Sequence, residues 1–171
     1  KGVGITPEGI ENNPVMYELL LELPWRKEKF TKEEWVKGYV KARYGTEDPM
    51  LLKAWEIMAA TAYNCPEIRQ GTTESVFCAR PGETIRSVSS WGSAQMFYNA
   101  RDFREAAECM LQVAEKYEGN NNFEYDLIDV VRQTLADYGN GLQKEMVEAF
   151  KAGDKSSFGQ KSREFLALIL L

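Results

Sequence analysis

Apolar positions three and four residues apart recur along most of the chain, the pattern of helices that bury one face. The first run follows Asn13 and Pro14, a cap with proline at the first helical position. It sets Val15, Met16, Leu19, Leu20 and Leu23 at helical spacing before Pro24 stops it. Thr31 and Glu34 form a capping box for a helix whose Trp35, Val36, Tyr39 and Val40 share a stripe, and Gly45 closes it. Asp48-Pro49 begins a third helix, with Leu51, Leu52, Trp55, Met58, Ala59 and Ala62 on one face as far as about Tyr63.

From Asn64 to about Ala94 the periodicity is lost among Pro66, Gly71, Pro81, Gly82 and Gly92. A loop of about 30 residues is unusual inside a compact domain, and such loops are often functional. Helical spacing resumes near Asn99 with Phe103, Ala106, Ala107, Met110, Leu111 and Ala114, and breaks at "EGNNN". "FEYDLIDVVRQTLADYG" then carries Leu127, Ile128, Val131, Leu135 and Tyr138. "GNG" at 139–141 predicts a pause before helices over 142–152 and 155–171, the second capped by Asp154. Strand signals of comparable strength are confined to the first few residues, and no repeat has a fixed period. The body therefore reads as all-α, with about six or seven helices.

Composition narrows what such a body can do. At 171 residues and 44% hydrophobic, the chain has enough apolar surface for one compact helical domain. Its net charge of -5 and lack of a long basic run exclude nucleic acid and anionic membrane as partners. Without a single histidine, Ser-His-Asp triads, His-ligated zinc and an imidazole base are excluded, so any chemistry falls to carboxylates, with neither cofactor nor metal expected. Cys65, Cys78 and Cys109 form no CxxC pair and read as buried thiols. The opening Lys-Gly and the closing "REFLALILL", an apolar run too short to span a bilayer, read as the ends of a piece of a longer protein.

One carboxylate stands apart. Glu8, between Pro7 and Gly9, lies several residues too early to cap the first helix, so it reads as presented by a loop. On these residues alone, a solvated turn glutamate is the better explanation.

Five landmarks in order, "GVGITPEGIENNPVMYELLLELPWR", "ARYG", "TAYNCPE", "MFYNARDF" and "YDLIDVVRQ", span about residues 2 to 138. Together they resemble the carboxyl-terminal half of the α-N-acetylglucosaminidases, the family-89 glycoside hydrolases. In that family a (β/α)8 barrel is followed by an all-α domain that helps wall the active site. The resemblance implies that residues 1–24 are the last strand, loop and helix of the barrel, and that 25–171 are a truncated helical carboxyl-terminal domain.

It also implies an activity, removal of terminal α-linked N-acetylglucosamine with retention, and Glu8 matches the family's nucleophile. In such a glycoside the 2-acetamido group is cis to the leaving oxygen and cannot attack from the opposite face, so the enzyme must supply its own carboxylate. The acid/base carboxylate lies in the family's barrel, amino-terminal to this chain, so the polypeptide alone is expected to be inactive. Its implied partners are a glycan substrate and the missing domains of the same protein.

For sugar contacts, Phe97 takes the place of a family tryptophan, keeping a stacking face and losing the indole donor, with Tyr98 following and Trp91 a second candidate. A core aromatic at a helix start is the competing reading of Phe97. Arg43 and Tyr44 read as packing residues, and Asp126 or Asp129 as ion-pair partners of Arg132.

Some exported animal members carry a glycosylation sequon at the asparagine of "YNC"; Asn64-Cys65-Pro66 is not one, which fits a bacterial origin. Export follows from the resemblance, to the periplasm or medium of a bacterium or to a lysosome in a eukaryote. The second cysteine near Cys65 in those members is absent, leaving Cys78 as the nearest alternative partner. A non-catalytic helical binding or scaffold module is the alternative function, distinguished by the absence of an upstream barrel with a second carboxylate.

Overall fold

The computed structural model describes residues 2, 4–5, 14–66, 73–88 and 94–171, which form two compact units, Lys1–Glu47 and Asp48–Leu171. Among the described residues the regular structure is entirely helical: six α-helices and three short 3-10 turns. The described residues are all-α, as the periodicity predicts.

In the first unit, α1 (Pro14–Glu22) runs into a 3-10 turn at Leu23–Trp25, and α2 (Lys32–Tyr44) follows. The capping box forms as the sequence spells it. Thr31 Oγ accepts from the Glu34 amide at 3.2 Å, and the Glu34 carboxylate accepts from the Thr31 amide at 2.8 Å. Gly45 ends α2 at φ 74°, a left-handed cap that glycine adopts without a Cβ penalty. The two helices are tied by the indole N–H of Trp35, which donates to Glu22 Oε2 at 2.7 Å, while Arg26 Nε donates to the other oxygen. The Trp35 bond, more than Arg26, holds the Glu22 carboxyl below its ordinary value. Of the stripe expected on α1, Val15 is buried but Met16, Leu20 and Leu23 stay 43–49% exposed.

The second unit comprises α3 (Pro49–Ala60), α4 (Ala100–Gln112), α5 (Asn121–Ala152) and α6 (Lys155–Leu168), each packed on the next in chain order. Asp48, Asn99, Asn120 and Asp154 cap them, each side chain accepting an amide of the first turn. Leu51 and Met58 of α3, Met110 of α4, and Phe123 and Leu142 of α5 are fully buried.

Asp48 also reaches across the unit. It accepts from Lys116 Nζ at 2.6 Å and Tyr117 Oη at 3.0 Å, fixing the start of α3 to the 3-10 turn (Glu115–Tyr117) between α4 and α5.

The pause expected at "GNG" does not occur; α5 is one helix of 32 residues through Gly139, Asn140 and Gly141. The two glycines cost helix propensity, but tertiary contacts override it. Asn140 Oδ1 accepts the Val76 amide at 3.2 Å, and the Phe77 ring occupies the space beside Gly139 where a Cβ would stand. These contacts anchor the 3-10 turn Val76–Cys78, the centre of the long loop, onto α5.

The cysteines correct a second expectation: Cys109 is buried, but Cys65 and Cys78 are exposed, and all three are thiols. No helix among the described residues is long and apolar enough to cross a membrane.

Candidate functional site

Residues 94–99 lead into α4, and this short segment carries two of the sequence-predicted sugar contacts. Asn99 caps α4 by accepting the Arg101 amide at 2.9 Å, which fixes the backbone just after Tyr98. The Tyr98 hydroxyl donates to Asp137 Oδ2 at 2.9 Å and accepts from Gln133 Nε2 at 3.2 Å. The same Gln133 amide donates to Asp137 Oδ1 at 2.8 Å, closing a three-membered network between the segment and α5. Phe97, partly exposed, meets Tyr98 edge to face, with ring centroids 5.3 Å apart and planes at 81°. Tyr98 in turn packs at 5.5 Å on Phe103, a core residue of α4.

The electrostatics suit a fixed support rather than a reacting group. Asp137 is only 3% exposed, and desolvation pushes its carboxyl above the ordinary range although the bonds from Gln133 and Tyr98 pull it down. Burial and the facing carboxylate drive the Tyr98 phenol far upward, so it stays protonated and keeps donating. Neither group has a proton it can lend to a substrate without breaking the network. The segment can therefore present an aromatic face and hold it still.

The long loop is tethered by the same helix. Gln143 Nε2 donates to the Gly82 carbonyl at 3.0 Å, and Glu74 Oε2 accepts the Val88 amide at 2.9 Å within the loop. A different face of α5 carries Leu127, Ile128, Val131 and Leu135. With Phe77 and Leu168, they line an open apolar groove of about 590 Å³.

Of the predicted site residues, the structure brings Phe97 and Tyr98 together, while Glu8 and Trp91 lie outside the described residues. Arg132 pairs with Asp129 at 2.8 Å on the surface, Asp126 is buried, and Tyr44 is a core residue. Sequence reasoning missed Gln133 and Asp137. Their signal was there: with Asp126, Val130 and Asn140 they follow helical spacing, placing polar side chains on the face of α5 that turns inward. A buried polar residue on such a face needs a partner, and Tyr98 is that partner. Among the described residues no cluster of three metal-ligating side chains occurs.

Residues 35–171 match the family model described as the alpha-N-acetylglucosaminidase (NAGLU) C-terminal domain, and residues 1–27 match that of its tim-barrel domain. The alpha-N-acetylglucosaminidase of Homo sapiens is 32% identical over 158 residues, covering 91% of this chain and 20% of that protein. A family 89 glycoside hydrolase from Clostridium perfringens, solved with PUGNAc, superposes with a TM-score of 0.92 at 35% identity, over 98% of this chain and 19% of the other. A form of the Clostridium perfringens enzyme with two Glu-to-Gln substitutions, solved with its substrate GlcNAc-alpha-1,4-galactose, gives 0.92 at 34% identity and the same coverage. The chain thus spans about a fifth of the length of these relatives.

Proposed function

This chain belongs to the alpha-N-acetylglucosaminidase (NAGLU) family, and from that premise we propose that it is part of a retaining exo-glycosidase that releases terminal α-linked N-acetylglucosamine. Residues 1–24 are the closing piece of the barrel and 25–171 belong to the helical domain, a division supported by the two family matches falling on 1–27 and 35–171. The observation that carries the reading is that the barrel match contains Glu8, which its sequence neighbours Pro7 and Gly9 mark as a loop residue. Barrel enzymes place their chemistry on such loops at the carboxyl ends of strands.

In the mechanism, Glu8 attacks the anomeric carbon from the face opposite the aglycone. The C–O bond to the aglycone breaks as a second carboxyl group protonates the leaving oxygen. The resulting β-linked glycosyl-enzyme is hydrolysed by water, which the second group deprotonates, so the sugar leaves with its original α configuration and both carboxyl groups return to their starting states. The second group comes from barrel residues outside this chain, so the 171 residues alone do not turn over substrate. The substituted relative supports a pair of carboxylates, since its substrate complex was obtained with two glutamates changed to glutamine. Phe97 is the aromatic of this half that stacks on the sugar ring, with Tyr98 beside it and Trp91 the alternative for the same role.

The test is made in the full-length enzyme. Glu8→Gln should lower turnover of an α-N-acetylglucosaminide at least about a thousandfold, the scale of losing a reacting group. Glu8→Ala with added azide should give the β-glycosyl azide, because azide then occupies the vacated face. Near-normal turnover in Glu8→Gln, or an α-azide product, would overturn the assignment.

A further inference from the structure

We propose that Asp137 and Gln133 of α5 are positioning residues for the sugar-binding aromatics, setting the place of Phe97 through the hydroxyl of Tyr98. This rests on the reading of Phe97 as a sugar platform and adds what holds that platform in place.

The geometry leaves Tyr98 little freedom. Its hydroxyl meets Asp137 at 2.9 Å and Gln133 at 3.2 Å, its ring leans on Phe103, and the next residue is pinned as the cap of α4. The Phe97 ring lies edge to face against Tyr98. The tethered ring is therefore one wall of the place that the partly exposed Phe97 ring takes. Asp137 needs both carboxylate oxygens for this, one for each donor, and Gln133 needs an amide that donates to both partners. Asparagine at 137 replaces one of the two acceptor oxygens by an NH2 donor, so the donor served at that oxygen faces another donor. Asp137 is only 3% exposed, so solvent does not readily replace a bond lost at its carboxylate. A platform held this way is ordered before the sugar arrives, which lowers the entropic cost of binding.

Coupling is expected, because Asp137 acts on the sugar through the Phe97 ring that packs on Tyr98. In the full-length enzyme, affinity for PUGNAc is measured by calorimetry for Phe97→Ala, Asp137→Asn, Gln133→Ala and the doubles Phe97→Ala/Asp137→Asn and Phe97→Ala/Gln133→Ala. Thermal unfolding is followed in parallel. Phe97→Ala should weaken binding about tenfold, the scale of one lost aromatic contact. Asp137→Asn and Gln133→Ala should each weaken it about three- to tenfold, with KM for substrate rising more than kcat falls.

In the Phe97→Ala background, either second change should add less than twofold, because the ring it positions is gone. If Phe97→Ala weakens binding and the second changes multiply it in full, or the single α5 variants bind normally, the positioning role is wrong and the platform stands. If Phe97→Ala binds normally, the platform itself is wrong and the positioning role falls with it. Should Asp137→Asn fail to fold, the Gln133→Ala pair of measurements decides the question, since Gln133 is the less buried partner.

Discussion

The ring of Phe77 lies against the bare backbone of Gly139, so closely that a Cβ at that position would overlap the outer edge of the ring. Two residues on, a Cβ at Gly141 would meet nothing within 4 Å. The two glycines of one "GNG" therefore answer differently to the same substitution. Gly139→Ala gains about 1 kcal/mol of helix propensity but must displace Phe77, at an overpacking cost of about 1–3 kcal/mol. The net in urea unfolding of the full-length protein is expected to be a destabilisation of up to about 2 kcal/mol. Gly141→Ala should stabilise by up to about 1 kcal/mol. Equal effects at both positions would contradict the packing role of Gly139.

Asp48 combines a cap with a tertiary tie, accepting the Met50 amide on one oxygen and Lys116 and Tyr117 on the other. Losing the cap costs about 1 kcal/mol, and losing the bonds from Lys116 and Tyr117 adds to it, so Asp48→Ala should destabilise by about 1–3 kcal/mol. Desolvation pushes this carboxyl up, but the donors outweigh it and the net shift is downward. A depressed acid stabilises the fold above its unfolded pKa, and that contribution is lost as pH falls through the lower folded value. The stability gap between wild type and Asp48→Asn, from unfolding curves at several pH values, should thus be widest near neutrality and close on acidification.

Asp137 titrates with the opposite sign. Burial raises it despite the hydrogen bonds from Gln133 and Tyr98, so the folded protein holds its proton more tightly than the unfolded chain. Its contribution is fully present below the ordinary carboxylate pKa and is lost as pH rises toward the folded value. Wild type should therefore lose stability relative to Asp137→Asn over that upward interval. Unfolding midpoints measured upward from about pH 4 check it, and a wild type that gains stability relative to Asp137→Asn as pH rises would contradict the raised pKa.

How much of this could be read from the residues alone varies with the kind of signal. Local chemistry was legible: Thr31 and Glu34 cap each other, Gly45 takes the left-handed turn, and Asp48 and Asp154 open helices because the required groups are neighbours in sequence. Tertiary decisions were not. "GNG" looks like a break because glycine weakens an isolated helix. Only Phe77 and Val76, more than sixty residues earlier, turn it into a packing window inside α5. Tyr98 was picked out through its neighbours, but its tie to Asp137, 39 positions away, needed the helices in place. Phe97 could be placed beside Tyr98 in sequence; the edge-to-face contact that gives it a fixed direction is a product of the fold.

Phe97 offers a sharper discrimination between sugar platform and core residue than truncation alone. It is partly exposed, so a larger ring has room to grow outward, whereas a core position would resist it. Phe97→Trp keeps the stacking face and adds an indole N–H that can donate to a sugar oxygen. On the platform reading, this variant of the full-length enzyme should bind PUGNAc at least as tightly as wild type, with unfolding temperature nearly unchanged, while Phe97→Ala loses about tenfold in affinity. On the core reading the order reverses. Tryptophan would then be overpacked at a cost of about 1–3 kcal/mol, lowering the unfolding temperature by several degrees without improving affinity. Calorimetry and thermal unfolding on the same two variants separate the readings: a gain in affinity at constant stability supports the platform, and a loss of stability with unchanged affinity refutes it.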